Sequence, residues 1–335
     1  MSVFIASFIL ILAGFFQGTF ILPMTLVKKW KWENTWFLFS FFGMLVINLI
    51  IAFLLFPELL NIYKGSNAVN LLVISLFGIG WGIGAILFGI GMDKLGMSLG
   101  YPIIMGLIAS LGLLVPFLFF FPEELLSRKG IMLIIGTILI IFGIVLCSRA
   151  AIEKTSSDSG NKGKSKTISG IIIAVLAGIL SCLPNVGIAF GEPIIRSAQE
   201  SGIPAYLSGN VVWAWFFTMG FLANFSYTFY LLIKGKNLKL FFVKGSLSNL
   251  IKCVLMGIMW IGSFYLYGIS SNELGKWGLI IGWPIFISLS IIIGNLWGVW
   301  KGEWIGASKK AKRKLNLGLI TLVFAMIIIG LSNIN

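Results

Sequence analysis

The sequence contains no histidine. That removes the side chain that titrates nearest neutral pH and the commonest metal ligand. Cysteine is scarce as well. Cys147, Cys182 and Cys253 all fall inside apolar runs, with neither disulfide nor metal-ligand spacing, so no metal site and no cofactor are expected. Acids number only 11, and charged residues of both signs make up 11% of the chain, against about 25% in a soluble domain. No acids pair up inside an apolar run, and no nucleophile has a base beside it, so the chain is not read as an enzyme. A G-x-x-x-x-G-K phosphate loop is missing, which argues against ATP-driven transport by this chain alone. No basic segment precedes the apolar stretch 3–26, and no small-residue cleavage site closes it. It therefore reads as a first membrane helix rather than a leader.

What the chain has in quantity is apolar surface. Of its 335 residues, 58% are hydrophobic, and the mean hydropathy is +1.02. This is the composition of a polytopic membrane protein. The net charge of +14 does not imply nucleic-acid binding, because the basic residues form short clusters between apolar runs. A bilayer core of about 30 Å takes about 20 residues per helix. Ten runs qualify: 3–26, 36–56, 69–91, 98–121, 130–148, 168–190, 205–233, 246–269, 277–300 and 315–333. They are continuous rather than alternating, which excludes a membrane β-barrel.

The connections are asymmetric. Loops after helices 1, 3, 5, 7 and 9 carry 19 Lys and Arg, whereas the N-terminus, the other loops and the C-terminus carry 5. Positive loops stay in the cytoplasm. The expected protein is multi-pass in a bacterial-type inner membrane, with both termini outside and loops 28–33, 150–167 and 301–314 inside. Residues 154–166, KTSSDSGNKGKSK, are polar and rich in glycine and serine. They predict a flexible cytoplasmic linker, 150–167, between halves 1–149 and 168–335. Binding to anionic lipid is the alternative role for this segment.

Five helices on each side of a linker raise the question of an internal repeat. Leu12-Ala13-Gly14 in helix 1 matches Leu176-Ala177-Gly178 in helix 6. A shift of 179 places Trp81 on Trp260, Gly78 on Gly257, Gly89 on Gly268, Leu95 on Leu274 and Gly96 on Gly275. YPI at 101–103 then meets WPI at 283–285. Because five is odd, the second half enters from the opposite side. The expected fold is all-α, with ten transmembrane helices as two inverted five-helix repeats and a substrate site near the midplane between them.

The segment 77–100, FGIGWGIGAILFGIGMDKLGMSLG, is dense in glycine. In lipid, small residues let helix backbones approach. Gly78, Gly82, Ala85 and Gly89 share one face of helix 3, and Gly257 and Gly268 are their echoes in helix 8. These glycines are expected to pack helices, with a sliding groove or a cavity-lining backbone as the functional alternative. Asp93 and Lys94 predict a tight cytoplasmic turn into helix 4.

WGIGAILFGIGMDKLGMSLG (81–100) closely resembles the helix 3–4 region of the L-rhamnose–proton symporter family, within the drug/metabolite transporter superfamily. VKKWKWENTW (27–36), GIIIAVLAGILS (170–181) and GIMW (257–260) are similar to it too. The resemblance implies ten helices, inverted repeats and sugar uptake coupled to protons by alternating access.

A small neutral sugar is held by amides, hydroxyls and aromatic faces. The intramembrane candidates are Gln17, Asn48, Asn185, Asn210, Trp213, Asn224, Tyr265 and Asn295. Such polar groups are costly in lipid and should face the bundle interior. An interhelical hydrogen bond is the plain alternative for each asparagine, and packing for each aromatic. Pro184, just before Asn185, is expected to free backbone groups and break helix 6. Proton coupling needs a titrating group, for which Glu192 and Asp93 are the candidates, and sodium coupling stays open. Expected partners are thus the sugar, the coupling ion and the bilayer, with no nucleic acid. The composition says nothing of oligomeric state. The alternative function is export or permeation of a metabolite or amino acid by the same kind of protein.

Overall fold

A computed structural model describes residues 3–155 and 164–332. Among them are ten helices long and apolar enough to cross a membrane. They are α1 (Phe4–Leu26), α2 (Trp32–Leu55), α3 (Ala68–Leu95), α4 (Ile103–Phe120), α5 (Arg128–Lys154), α6 (Ile168–Phe190), α7 (Ala205–Lys234), α8 (Ser246–Glu273), α9 (Gly278–Trp300) and α10 (Lys309–Leu331). No strand occurs among the described residues.

These helices correspond one for one to the ten predicted runs, and their ends differ for a physical reason. A hydropathy run stops at the first charges, but a helix continues wherever its ends are satisfied. The α10 helix starts at Lys309, inside the basic segment, because Ser308 Oγ accepts the Ala311 N–H at 3.0 Å as an N-cap. The α5 helix runs on past Arg149, and Glu153 in its last turn is bound by Lys310 and Lys314. Of the predicted linker, 150–155 and 164–167 are helical and 156–163 lie outside the described residues.

The turn expected at Asp93 takes an unusual form. Helical hydrogen bonding is continuous over Ala68–Phe120. Nevertheless, a Cβ on Gly100 would lie 3.3 Å from the Gly91 carbonyl oxygen, whereas nine residues of straight helix cover about 13.5 Å. The chain therefore reverses between them without losing its helical pattern. Three other helices are irregular. In α2, Phe41–Ile47 is a π-helix. The α6 helix is interrupted at Cys182, between Lys164–Ser181 and Leu183–Phe190, next to Pro184. The α7 helix is interrupted at Gly209 and Asn210, between Ala205–Ser208 and Val211–Lys234.

The chain divides into two compact units, each drawn from both halves of the sequence. Unit 1 comprises Met1–Ile83 and Gly187–Gly275; unit 2 comprises Gly84–Val186 and Lys276–Asn335. In unit 1, a Cβ on Gly78 would overlap the Phe216 carbonyl oxygen, and one on Gly82 the Gly220 carbonyl oxygen, so α3 lies backbone to backbone on α7. A Cβ on Gly43 would come 3.0 Å from the Cα of Gly257, so α2 and α8 touch in the same way. In unit 2, Gly136 and Gly143 of α5 receive the side chains of Ile329 and Leu322 from α10. Gly89 was expected on the same face as Gly78 and Gly82. A Cβ there would meet nothing within 4 Å, so the close-packed stripe of α3 stops short of it.

Candidate functional site

Unit 1 buries a cluster of aromatic rings. Trp81 of α3 stacks on Trp260 of α8, with centroids 5.6 Å apart and planes at 23°. Phe217 of α7 meets Trp260 edge-on at 4.8 Å and Phe264 at 4.7 Å, and it stacks under Trp213 at 5.3 Å. Phe39 of α2 adds an edge-on contact to Trp260 at 5.8 Å. Beyond the area it buries, each such pair is worth about 0.5–1.5 kcal/mol. The cluster is therefore a stiff apolar wall.

Six of the eight sugar-binding candidates, Gln17, Asn48, Asn210, Trp213, Asn224 and Tyr265, belong to this unit. Their hydrogen bonds separate those already fully engaged from those with capacity left. Asn48, fully buried, donates from Nδ2 to the carbonyls of Met44, Trp213 and Ala214 at 3.1–3.3 Å, while its Oδ1 accepts the Tyr265 hydroxyl at 3.2 Å. One side chain thereby ties α2 to both α7 and α8. Asn224, also fully buried, does the same from α7. Its Nδ2 donates to the carbonyls of Gly220 (3.2 Å) and Gly82 (3.4 Å), and its Oδ1 accepts Trp36 Nε1–H at 3.1 Å. Gln17 is half-buried, and its Oε1 accepts the Ser263 hydroxyl at 2.7 Å, linking α1 to α8. Asn210, at the interruption of α7, donates from Nδ2 to the Tyr265 carbonyl at 3.2 Å.

The other two candidates lie in unit 2. Asn185, buried beside the break in α6, donates from Nδ2 to the Gly112 carbonyl at 2.7 Å and the Leu279 carbonyl at 3.0 Å. Asn295 donates to Ile291 O of its own helix at 2.8 Å. Of the predicted packing glycines in α8, Gly257 meets Gly43. At Gly268 a Cβ would overlap the Asn210 side-chain oxygen.

The titrating candidates are both exposed. Glu192 begins a short helix, Glu192–Glu200, after α6; it is exposed and accepts from Arg196 at 2.8 Å. That carboxylate raises the Arg196 guanidinium above its ordinary pKa. Asp93 is exposed within the helical reversal that follows Gly91. Among the described residues, every acid inside a span lies in its first or last turn: Glu33, Asp93, Glu153 and Glu273.

Two contributors to the site were not singled out from the sequence. Tyr63 lies in the short helix Leu59–Gly65, outside the ten runs, and its hydroxyl donates to the Val211 carbonyl at 2.6 Å. Burial pushes its pKa well above the ordinary phenol value. Trp36 stands at a predicted helix edge, where a tryptophan reads as interfacial. Trp36 does close the segment 27–36 that carries the resemblance, whereas no sequence signal marked Tyr63.

No group of three or more metal-ligating side chains occurs among the described residues. The arrangement offers an aromatic wall, neutral amides and backbone carbonyls, which suits a neutral polyol better than an ion. The chain is 28% identical over 322 residues to the L-rhamnose-proton symporter of Yersinia pestis (strain Pestoides F), covering 93% of each chain. It is 28% identical over 319 residues to the L-rhamnose-proton symporter of Pectobacterium atrosepticum, again covering 93% of each. The family described as L-rhamnose-proton symport protein (RhaT) matches residues 2–335. With that match running almost end to end over a ten-helix membrane protein, the chain belongs to the L-rhamnose-proton symport protein family.

Proposed function

We propose that this chain is a secondary transporter that takes up L-rhamnose or a closely similar neutral deoxysugar together with a proton, by alternating access. The observation that carries the reading is the family match over residues 2–335. The chemistry of unit 1 supports it, since stacked tryptophans and neutral amides are what a polyol requires and a charged metabolite does not. The relatives' names include the proton, which favours it over sodium as the coupling ion.

The architecture we attach to this reading is two inverted repeats, 1–149 and 168–335, joined through 150–167. Its support is that Trp81 and Trp260, equated by the 179-residue shift, stack on each other. The equated glycines Gly78 and Gly257 also each meet another helix's backbone. On the resemblance of 81–100 we also place the chain in the drug/metabolite transporter superfamily, and on the loop charges in the inner membrane with both termini outside. The sugar contacts are assigned to unit 1, with Asn48 and Asn224 as the pins that hold its helices. Glu192 and Asp93 remain the coupling candidates. Glu192 is the stronger, because a proton taken up there would release Arg196. The expected phenotype of Glu192→Gln is loss of accumulation driven by a pH gradient, with sugar exchange at equal concentrations retained.

The test is uptake of labelled L-rhamnose and a sugar panel into proteoliposomes, with and without an inward proton gradient. Concentrative rhamnose uptake that collapses with a protonophore is expected. Failure to transport or bind any sugar would sink the reading.

A further inference from the structure

Asn210 Oδ1 and Trp213 Nε1 are buried side-chain atoms that find no hydrogen-bond partner among the described residues. Both residues are 0% exposed. Leaving such a group unsatisfied is costly, and the two lie together. The ideal Cβ position on Gly268 overlaps the Asn210 oxygen and is 3.0 Å from the Trp213 nitrogen. One atom is an acceptor and the other a donor; the Asn210 oxygen fills the notch that a glycine leaves in α8, and the Trp213 nitrogen lies beside it.

Three further features fix this geometry. The Asn210 amide cannot be turned around, because its Nδ2 donates to the Tyr265 carbonyl at 3.2 Å and an oxygen in that place would face another oxygen. The Trp213 ring is held by its stack on Phe217 (5.3 Å, 21°) and its edge-on contact with Phe264 at 5.5 Å. Asn210 also sits at the interruption of α7, the kind of discontinuous membrane helix around which transporters build substrate sites. The feature is not a by-product of the repeat, because Gly89, the repeat partner of Gly268, faces open space.

We infer that Asn210 Oδ1 and Trp213 Nε1 form a subsite for one hydroxyl group of the transported sugar, which donates to the amide oxygen and accepts from the indole N–H. A hydroxyl both donates and accepts, so a single one satisfies both atoms at once. An ammonium or a carboxylate would each leave one of them opposed. The inference rests on the sugar-transport reading and deepens it, with the aromatic wall covering the sugar's C–H face.

The experiment measures binding of L-rhamnose to the purified full-length protein by calorimetry, together with analogues that each have one hydroxyl replaced by hydrogen. Trp213→Phe keeps a ring and removes the N–H. It is expected to weaken rhamnose binding about tenfold, the size of one buried neutral hydrogen bond. One analogue should lose more than that on the wild type, because both bonds go, and clearly less on Trp213→Phe, where only the bond to Asn210 is left to lose, and Asn210→Leu should single out the same analogue. If every analogue carries the same penalty on the variants as on the wild type, the subsite is overturned. A wild type that binds no L-rhamnose overturns the sugar reading itself. Should the variants not fold, a structure of the rhamnose-bound wild type decides. One sugar hydroxyl must lie within hydrogen-bond reach of both atoms, and only a water there, with the sugar elsewhere, overturns the subsite.

Discussion

Unit 1 buries Asn34, Asn48, Asn210, Asn224 and Asn249, whereas unit 2 buries Asn185 alone among the described asparagines. Unit 1 also encloses the stacked rings of Trp81, Trp213, Phe217 and Trp260. Unit 2 instead seats Ile329 and Leu322 of α10 on the glycines of α5, and binds Glu153 to Lys310 and Lys314 in the last turn of α5. Both units are equally membrane-like in their helices, so hydropathy does not distinguish them. Unit 2 buries aromatic rings too, with Trp277 stacked on Phe121 and Trp283 beside Phe286, so the contrast lies in the buried amides, which are concentrated in unit 1. In lipid an amide is buried only where a bond or a function returns its cost, which is why we propose unit 1 as the recognising part.

The sharpest way to break this comparison is at the glycines. Gly43→Val puts a side chain against the Gly257 backbone, which cannot swing aside. A loss of about 3 kcal/mol is expected, read as little folded protein in detergent. Gly89→Ala in unit 2 meets nothing and should leave the thermal midpoint and uptake unchanged. The next largest effect is at the asparagines. Asn48→Leu removes bonds that tie α2 to α7 and α8, at an expected cost of about 1–2 kcal/mol, seen as a lower thermal midpoint. Asn295→Leu, whose amide bonds only within its own helix among the described residues, should cost less than about 0.5 kcal/mol. If Asn48→Leu and Asn295→Leu behaved alike, the assignment of a special polar core to unit 1 would be wrong.

Much of this molecule was legible in the sequence because its strongest signal, long apolar runs, depends on composition and length alone. The same holds for Gly78 and Gly257, where the lack of a side chain already implies close approach. The break of α6 was legible from Pro184. The break of α7 at Gly209 and Asn210 was not, since neither residue forbids a helix and tertiary bonds to α8 decide the matter. The roles of the asparagines were hidden for a related reason. Whether Asn48 pins helices or Asn210 keeps a free oxygen depends on which carbonyl lies opposite, and spacing along one chain cannot report that. Gly89 shows the converse limit, because its helical register matched Gly78 and Gly82 while its surroundings did not.

The central claim, a proton carried with the sugar, is tested most directly by recording the pH outside lightly buffered proteoliposomes when L-rhamnose is added. The account predicts a transient alkalinisation of the medium that follows rhamnose uptake, is absent with a sugar that is not transported, and disappears with a protonophore. Uptake of rhamnose with no pH change would contradict it.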